Sequence, residues 1–195
     1  MSRLIVLTAI TVDGVMSVED WFVPEGDHME ASLRMFEGET ALLYGRKNYE
    51  GLAAYWMAAE GEWADVLNPL PKFVASRTLE EPLTWNATLL KGELEDAVAK
   101  VKAERDGDLI TNGCGELTRS LLAAGLIDEF WFSVHPAVWG KGKRPFWEEE
   151  TKLKLTLLGT ETYDSGVVRL RYAPGTSVSP QRVAPTWVLR RPKAA

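Results

Sequence analysis

The chain has 195 residues, enough for one well-cored domain and short for two, and its 46% hydrophobic and 26% charged residues are those of a globular protein. A formal charge of -6 argues against a surface that wraps nucleic acid, so any bound anion must be held by a local cluster of cations and backbone amides. The single cysteine, Cys114, excludes an internal disulfide, and with only two histidines a zinc site has too few ligands, so no metal is expected.

The opening MSRLIVLTAITVDG alternates apolar residues with threonines and has no small-residue cleavage site, unlike a secretory signal. No apolar run approaches the roughly 18–20 residues that cross a bilayer, so a cytoplasmic protein without membrane contact is expected. Leu4–Thr11 is rich in β-branched residues and ends at Asp13-Gly14, a strand followed by a turn. Asp27 or Glu25, after Pro24, starts a helix whose apolar face includes Met29, Leu33 and Phe36, and Gly38 ends it. Residues 41–44 read as a buried strand and 48–55 as a helix. The tryptophan-rich stretch 55–68 holds one more helix, closed by Asn68-Pro69.

Strands follow at 72–75, 87–90 and 108–111. Between the last two, a helix over about 93–104 shows Leu94, Val98 and Val101 on one face. Asn112-Gly113-Cys114-Gly115 then introduces a helix containing Leu117, Leu121 and Leu122, and residues 129–135 form a strand. Stretches 152–162 and 166–172 read as a hairpin through Asp164-Ser165-Gly166. Alternating strands and helices closed by an antiparallel pair predict an α/β fold, a mixed and mostly parallel sheet with helices on both faces. From residue 174 onward the chain turns proline-rich and basic, and a tail over 174–195 is expected, with Trp187-Val188-Leu189 available for docking.

Three strand ends carry chemistry suited to one phosphorylated ligand. In LLYGRKNYEG, Gly45 permits a tight turn, and Arg46, Lys47 and Asn48 offer cations and outward amides at a helix start. Ser76, Arg77 and Thr78 combine hydroxyls and a guanidinium that suit the 2′-phosphate distinguishing NADPH from NADH. Asn112, Gly113, Cys114, Gly115, Glu116 and Leu117 let a pyrophosphate approach the backbone, although Thr118 stands where a third glycine completes a dinucleotide fingerprint. Each segment alone also reads as an ordinary turn; their coincidence after three strands raises the joint reading. Gly140-Lys141-Gly142-Lys143 does not fit a P-loop, because Arg144 follows the lysine. Cys114 has no evident catalytic partner and reads as a packed or loop cysteine.

Together with ITVDGV, LIDEFWFSVHPAVWGKGKRPF and SGVVRLRY, these segments resemble the dihydrofolate-reductase-like superfamily over about residues 2–173. The chain is most similar to stand-alone proteins related to the reductase domain of the bifunctional riboflavin-biosynthesis deaminase/reductase. The resemblance implies a three-layer sandwich and NADPH as cofactor. It places Arg46 and the amides near Lys47 and Asn48 on cofactor phosphate, Ser76, Arg77 and Thr78 near the adenosine 2′-phosphate, and 113–117 under the pyrophosphate. Asp13 and Gly14 border the nicotinamide cleft. Asn48 replaces the threonine common at its position.

The substrate is less determined. Riboflavin-pathway reductases generally carry a glutamate before the glycine pair, where this chain has Asn112. Dihydrofolate reductases place a carboxylate after a Trp-x-x-Pro segment; here glycine holds the matching position and Asp27 lies one residue on. The expected reaction is hydride transfer from NADPH to a flat pteridine- or pyrimidine-like heterocycle. Asp13, Asp27 and Glu50 are the candidate acids, with water as an alternative proton source, and Trp21, Tyr49 and Trp56 are candidates for an aromatic substrate wall. The rival readings are a non-catalytic NADPH-binding module acting as a homodimer, and a flavin or folate carrier. A homodimer is expected for the enzyme as well.

Overall fold

A computed structural model describes residues 2–145 and 153–175. In chain order the elements are β1 (Leu4–Thr11), α1 (Asp27–Leu33) with a 3-10 turn at Arg34–Phe36, β2 (Ala41–Gly45), α2 (Arg46–Trp56), α3 (Glu62–Leu67), β3 (Lys72–Ala75), β4 (Ala87–Leu89), α4 (Leu94–Glu104), β5 (Leu109–Asn112), α5 (Glu116–Ala123), β6 (Glu129–His135), β7 (Leu155–Thr162) and β8 (Val168–Pro174). The expected elements are present with shifted ends. The second helix begins at Arg46, immediately after the strand, because Gly45 serves as its N-cap. The last strand runs two residues past Tyr172, and Pro174 pairs only with Leu155 beyond the end of the β6 ladder. The rest of the proposed tail, Trp187-Val188-Leu189 included, and the Phe146 end of the loop motif lie outside the described residues.

One eight-stranded sheet has the order β4-β3-β2-β5-β1-β6-β8-β7. All neighbours pair in parallel as far as β6, whereas β8 runs antiparallel to both β6 and β7. This is the expected dihydrofolate-reductase-like sandwich. Period-two alternation divides each central strand between two cores. Leu4 and Val6 pack with Val98 and Val101 of α4 and Leu121 of α5 on one face. Ile5, Leu42 and Tyr44 pack with Tyr49 and Ala53 of α2 and Leu67 of α3 on the other.

The turn before β5 fixes how closely the strands approach. A methyl group on Gly107 would lie 2.1 Å from the Glu39 carbonyl oxygen, a backbone atom with no rotamer to yield. Gly107→Ala is therefore expected to destabilise the fold by about 3 kcal/mol, read as a lower midpoint in chemical denaturation.

Candidate functional site

Parallel strands bring their carboxyl ends to one edge of the sheet, and helices that follow them begin there. Gly45 is in register with Ala75, so the ends of β2 and β3 are adjacent. Asn112 is in register with Leu7 of β1, and β5 lies between β1 and β2. The three predicted loops therefore converge. They line one cleft of about 1350 Å³, contributed by Gly45 through Asn48, Ala75 through Thr78, and Thr111 through Ser120.

Three helices, α2, α4 and α5, begin at this cleft without a capping side chain, and α2 and α5 each follow a glycine. Gly45 precedes α2 and Gly115 precedes α5, and neither supplies a side-chain acceptor to the first turn. The N–H groups of these first turns remain available to an anion. Gly45 itself is extended, at φ -80 and ψ 161, so the tight turn expected there needs no left-handed residue. A Cβ at this position would meet the Leu117 Cβ at 3.7 Å, an ordinary van der Waals contact.

The polar side chains divide into those that brace and those that face the cleft. Asn48 donates from Nδ2 to the Asn112 carbonyl at 3.0 Å, tying the α2 start to the end of β5. The Ser76 hydroxyl accepts from the amides of Thr78 and Leu79 at 3.1 and 3.0 Å and closes its own turn. Thr118 donates to the Gly113 carbonyl at 2.7 Å, so the residue in the third-glycine position closes that loop. Cys114 is buried, its sulfur 3.3 Å from the Thr8 hydroxyl, and burial pushes its thiol up to about 11. It contributes backbone and has no nucleophile's environment.

A fourth segment, set aside in the sequence as a failed P-loop, also reaches the cleft. Gly142, Lys143 and Arg144 line it together with Met16 and Ser17. Asp13 is the reason. Its carboxylate accepts from the Thr11 hydroxyl at 2.6 Å and from the amides of Trp139 and Gly140 at 3.0 and 2.8 Å. These bonds, the Thr11 hydroxyl foremost, hold it down to about 2. Arg144 adds an ion pair at 3.6 Å and donates to the Asp13 carbonyl. Asp13 thus latches a cationic loop and is spent as a proton donor. In total, six cationic side chains and three carboxylates line the cleft of a chain whose formal charge is -6. The local cluster that an acidic protein needs to hold an anion is present.

The other expected acids and aromatics are placed elsewhere. Asp27 accepts from the amides of Asp164 and Ser165, at 2.8 and 3.4 Å, pinning α1 to the β7–β8 turn; the Asp164 bond is the largest cause of its lowered pKa. Glu50 pairs with Arg46 one helical turn back at 3.3 Å and is not among the cleft-lining residues. Tyr49 is buried with its hydroxyl bonded to Thr84, and Trp56 packs against the same core. Trp21 is buried edge-on against His135, ring centroids 5.2 Å apart. Helical spacing could not tell these core rings from a substrate wall. Gly14 borders a separate cavity of about 310 Å³ with Ile10, Phe132, Pro145, Leu170 and the shared Arg144.

Among the described residues, no group of three histidine, cysteine, aspartate or glutamate side chains is placed to hold a metal, and no helix is long and apolar enough to cross a membrane. The chain is 30% identical to the uncharacterized protein YyaP of Bacillus subtilis over 179 residues, covering 87% of this chain and 94% of that one. The fold matches a structure of a putative riboflavin biosynthesis protein from Shewanella sp. PV-4 with a TM-score of 0.68 at 24% identity, over 89% of this chain and 99% of that one. Dihydrofolate reductase from Enterococcus faecalis, in complex with NADP(H), superposes with a TM-score of 0.59 at 14% identity, over 89% and 96% of the two chains. Residues 2–169 match the family model of the RibD C-terminal domain, and the chain belongs to that family.

Proposed function

We propose that the protein is an NADPH-dependent reductase that transfers hydride to a flat pteridine- or pyrimidine-like heterocycle. The supporting observation is the cleft: three strand-end loops, uncapped helix starts and an excess of cations around one space. A doubly phosphorylated, adenine-bearing molecule fits that donor set. Arg46, Lys47 and the first-turn amides of α2 would hold phosphate oxygens, residues 113–117 would face the pyrophosphate through backbone, and Arg77 would meet the 2′-phosphate. The dihydronicotinamide supplies the hydride. The chain's own work is to bind, orient and exclude water. With Asp13 and Asp27 engaged and Glu50 off the cleft, the proton comes from water.

The test is a fluorescence titration of NADPH and NADH, followed by absorbance at the nicotinamide band with pterins, dihydrofolate and flavin precursors. NADPH is expected to bind about tenfold more tightly than NADH, and Arg77→Ala to erase most of that preference, about 1.4 kcal/mol, while leaving NADH affinity nearly unchanged. Equal affinities in the wild type would remove the roles of Arg46 and Arg77. Tight NADPH binding without oxidation by any substrate would favour the non-catalytic module.

A further inference from the structure

Charge is sorted along the cleft. Its lining carboxylates, Glu93, Glu95 and Glu116, stand at the starts of α4 and α5, which follow β4 and β5. Arg46 and Lys47 follow β2, Arg77 follows β3 and Arg119 lies on α5, so these cations share their part of the cleft with the acids. Beyond β5 the sheet continues with β1 and β6, and the lining there comes from the loops after those two strands. This end has two cations, Lys143 and Arg144, and among the described residues no lining carboxylate. Asp13, outside the lining, offsets Arg144 at 3.6 Å. Lys143 is exposed and has no ion-pair partner among the described residues. It is the surplus charge of this end.

The backbone that carries Lys143 is anchored. Its carbonyl accepts from the Met16 amide at 2.7 Å, and its amide donates to the Ser17 hydroxyl at 3.3 Å. Gly142, at φ +140, lets the two loops touch, since a Cβ there would lie 2.5 Å from Val15 Cγ1. The Asp13 carboxylate holds the Trp139 and Gly140 amides, and the Trp139 indole donates to Glu19 at 3.0 Å. The lysine stem springs from a braced loop, which keeps its charge at this end of the cleft.

Strand order says which part of a dinucleotide meets that charge. With the 2′-phosphate at Arg77, after β3, and the pyrophosphate against residues 113–117, after β5, the other half of the molecule extends toward β1 and β6. From β3 to β1 is three strand spacings, about 14 Å, a reach that suits an extended dinucleotide. We infer that Lys143 makes this site select the reduced cofactor over the oxidised one. The inference rests on reading the cleft as the NADPH site. The dihydronicotinamide ring is neutral. When its hydride leaves for the acceptor heterocycle with both electrons of the C–H bond, the ring becomes a pyridinium carrying one positive charge. Lys143 repels only that second form, while its attraction for the phosphates is common to both and cancels in the ratio. Spent cofactor is loosened where it stands, and NADPH replaces it. A solvent-exposed cation close to the ring is expected to give about a fivefold preference at moderate salt.

The experiment titrates the full chain with NADPH and NADP+ in about 0.1 M salt, read by tryptophan quenching. Adenosine 2′,5′-bisphosphate is the probe for the other half of the cleft. NADPH is expected to bind about fivefold more tightly than NADP+. Lys143→Arg should keep that ratio, Lys143→Gln should bring it below about twofold, and Lys143→Glu should make NADP+ the tighter ligand. The bisphosphate, more than a screening length from the lysine, should bind all four proteins alike and so certify the fold. Arg77→Ala should weaken NADPH and NADP+ by the same factor and leave their ratio intact. Raising the salt to about 1 M should compress the wild-type ratio. Equal affinities for the two forms in the wild type, a ratio that does not follow the charge at position 143, or an Arg77→Ala ratio that falls as far as that of Lys143→Gln overturns the inference. So does a loss in Lys143→Gln shared equally by NADPH, NADP+ and the bisphosphate, the mark of a phosphate contact. A wild type that binds neither cofactor nor the bisphosphate would instead sink the reading of the cleft.

Discussion

Lys72→Met is expected to lower the stability of the fold by about 3 kcal/mol. Lys72 opens β3 and is only 1% exposed, with no acidic partner among the described residues. Its ammonium donates to the carbonyls of Leu67, Asn68 and Leu70 at 2.6, 2.8 and 2.8 Å, where α3 ends and its carbonyls lack helical partners. The Trp85 ring lies 4.4 Å from the same nitrogen, and the Trp85 indole donates to Asn68 at 2.7 Å. Burial lowers the ammonium to about 8, so it is charged at neutral pH. Methionine conserves the stem and removes the donor, leaving three inward carbonyls dry. The three losses do not add, because the desolvation of a buried charge is relieved at the same time. Urea unfolding checks the value: the midpoint should fall with an unchanged slope. A loss below about 1 kcal/mol would mean that water replaces the ammonium in the cage. Lys72→Ala should cost more, through the added cavity.

Lys72 also marks a boundary of what the sequence reveals. A lysine at the start of a short strand reads as a surface residue, and nothing local says that a helix end will close over it. The strand–turn–helix units were legible because they depend on local pattern: β-branched runs, glycine after the strand, apolar residues at helical spacing. Their convergence was legible too, since parallel strands followed by helices leave every connecting loop at one edge. Side-chain roles were not, where partners are distant. Asp13 and its loop amides are 126 and 127 residues apart, and Asp27 and Asp164 are 137 apart. A carboxylate beside a glycine turn looks like an acid until backbone N–H groups from another loop surround it. Lys143 and Arg144 had a signal, a cationic run after a strand, but only the fold could aim them. The alternation of Arg169, Leu170 and Arg171 in SGVVRLRY was another: two arginines on one face of a strand whose other face is apolar announce ion pairs on that face. The structure pairs Arg169 with Glu161 and Arg171 with Glu129.

Acid is expected to loosen the segment that borders the cleft, through His135. This side chain ends β6 and is 1% exposed; its Nδ1 accepts from the Val23 amide at 3.2 Å, which requires the neutral ring. Trp21 and Phe22 pack against it, and His28 of α1 approaches edge-on with centroids 5.6 Å apart while bonding the Val23 carbonyl through Nε2. Tyr163 lies beyond His28, and no carboxylate touches the His135 ring among the described residues. Burial, and then the neighbouring His28, lower its pKa from 6.5 to about 4. Between those values the unfolded chain binds the proton and the folded chain does not, so stability falls as the pH drops through this window. Above about pH 7.5 the group contributes almost no slope. The full loss by pH 4 is about 3 kcal/mol. Carboxylates with lowered values, Asp13 among them, add their own loss only below about pH 4.5, so the histidine is isolated between pH 6.5 and 5. His135→Gln retains an acceptor for Val23 and cannot titrate there. Unfolding curves at closely spaced pH values should show the wild type losing stability across that interval and the variant holding nearly level. Because the Val23 segment continues from Met16 and Ser17 at the cleft wall, ligand affinity in the wild type should weaken over the same interval, and in His135→Gln it should not. Parallel slopes in the two proteins would assign the acid sensitivity to the carboxylates instead.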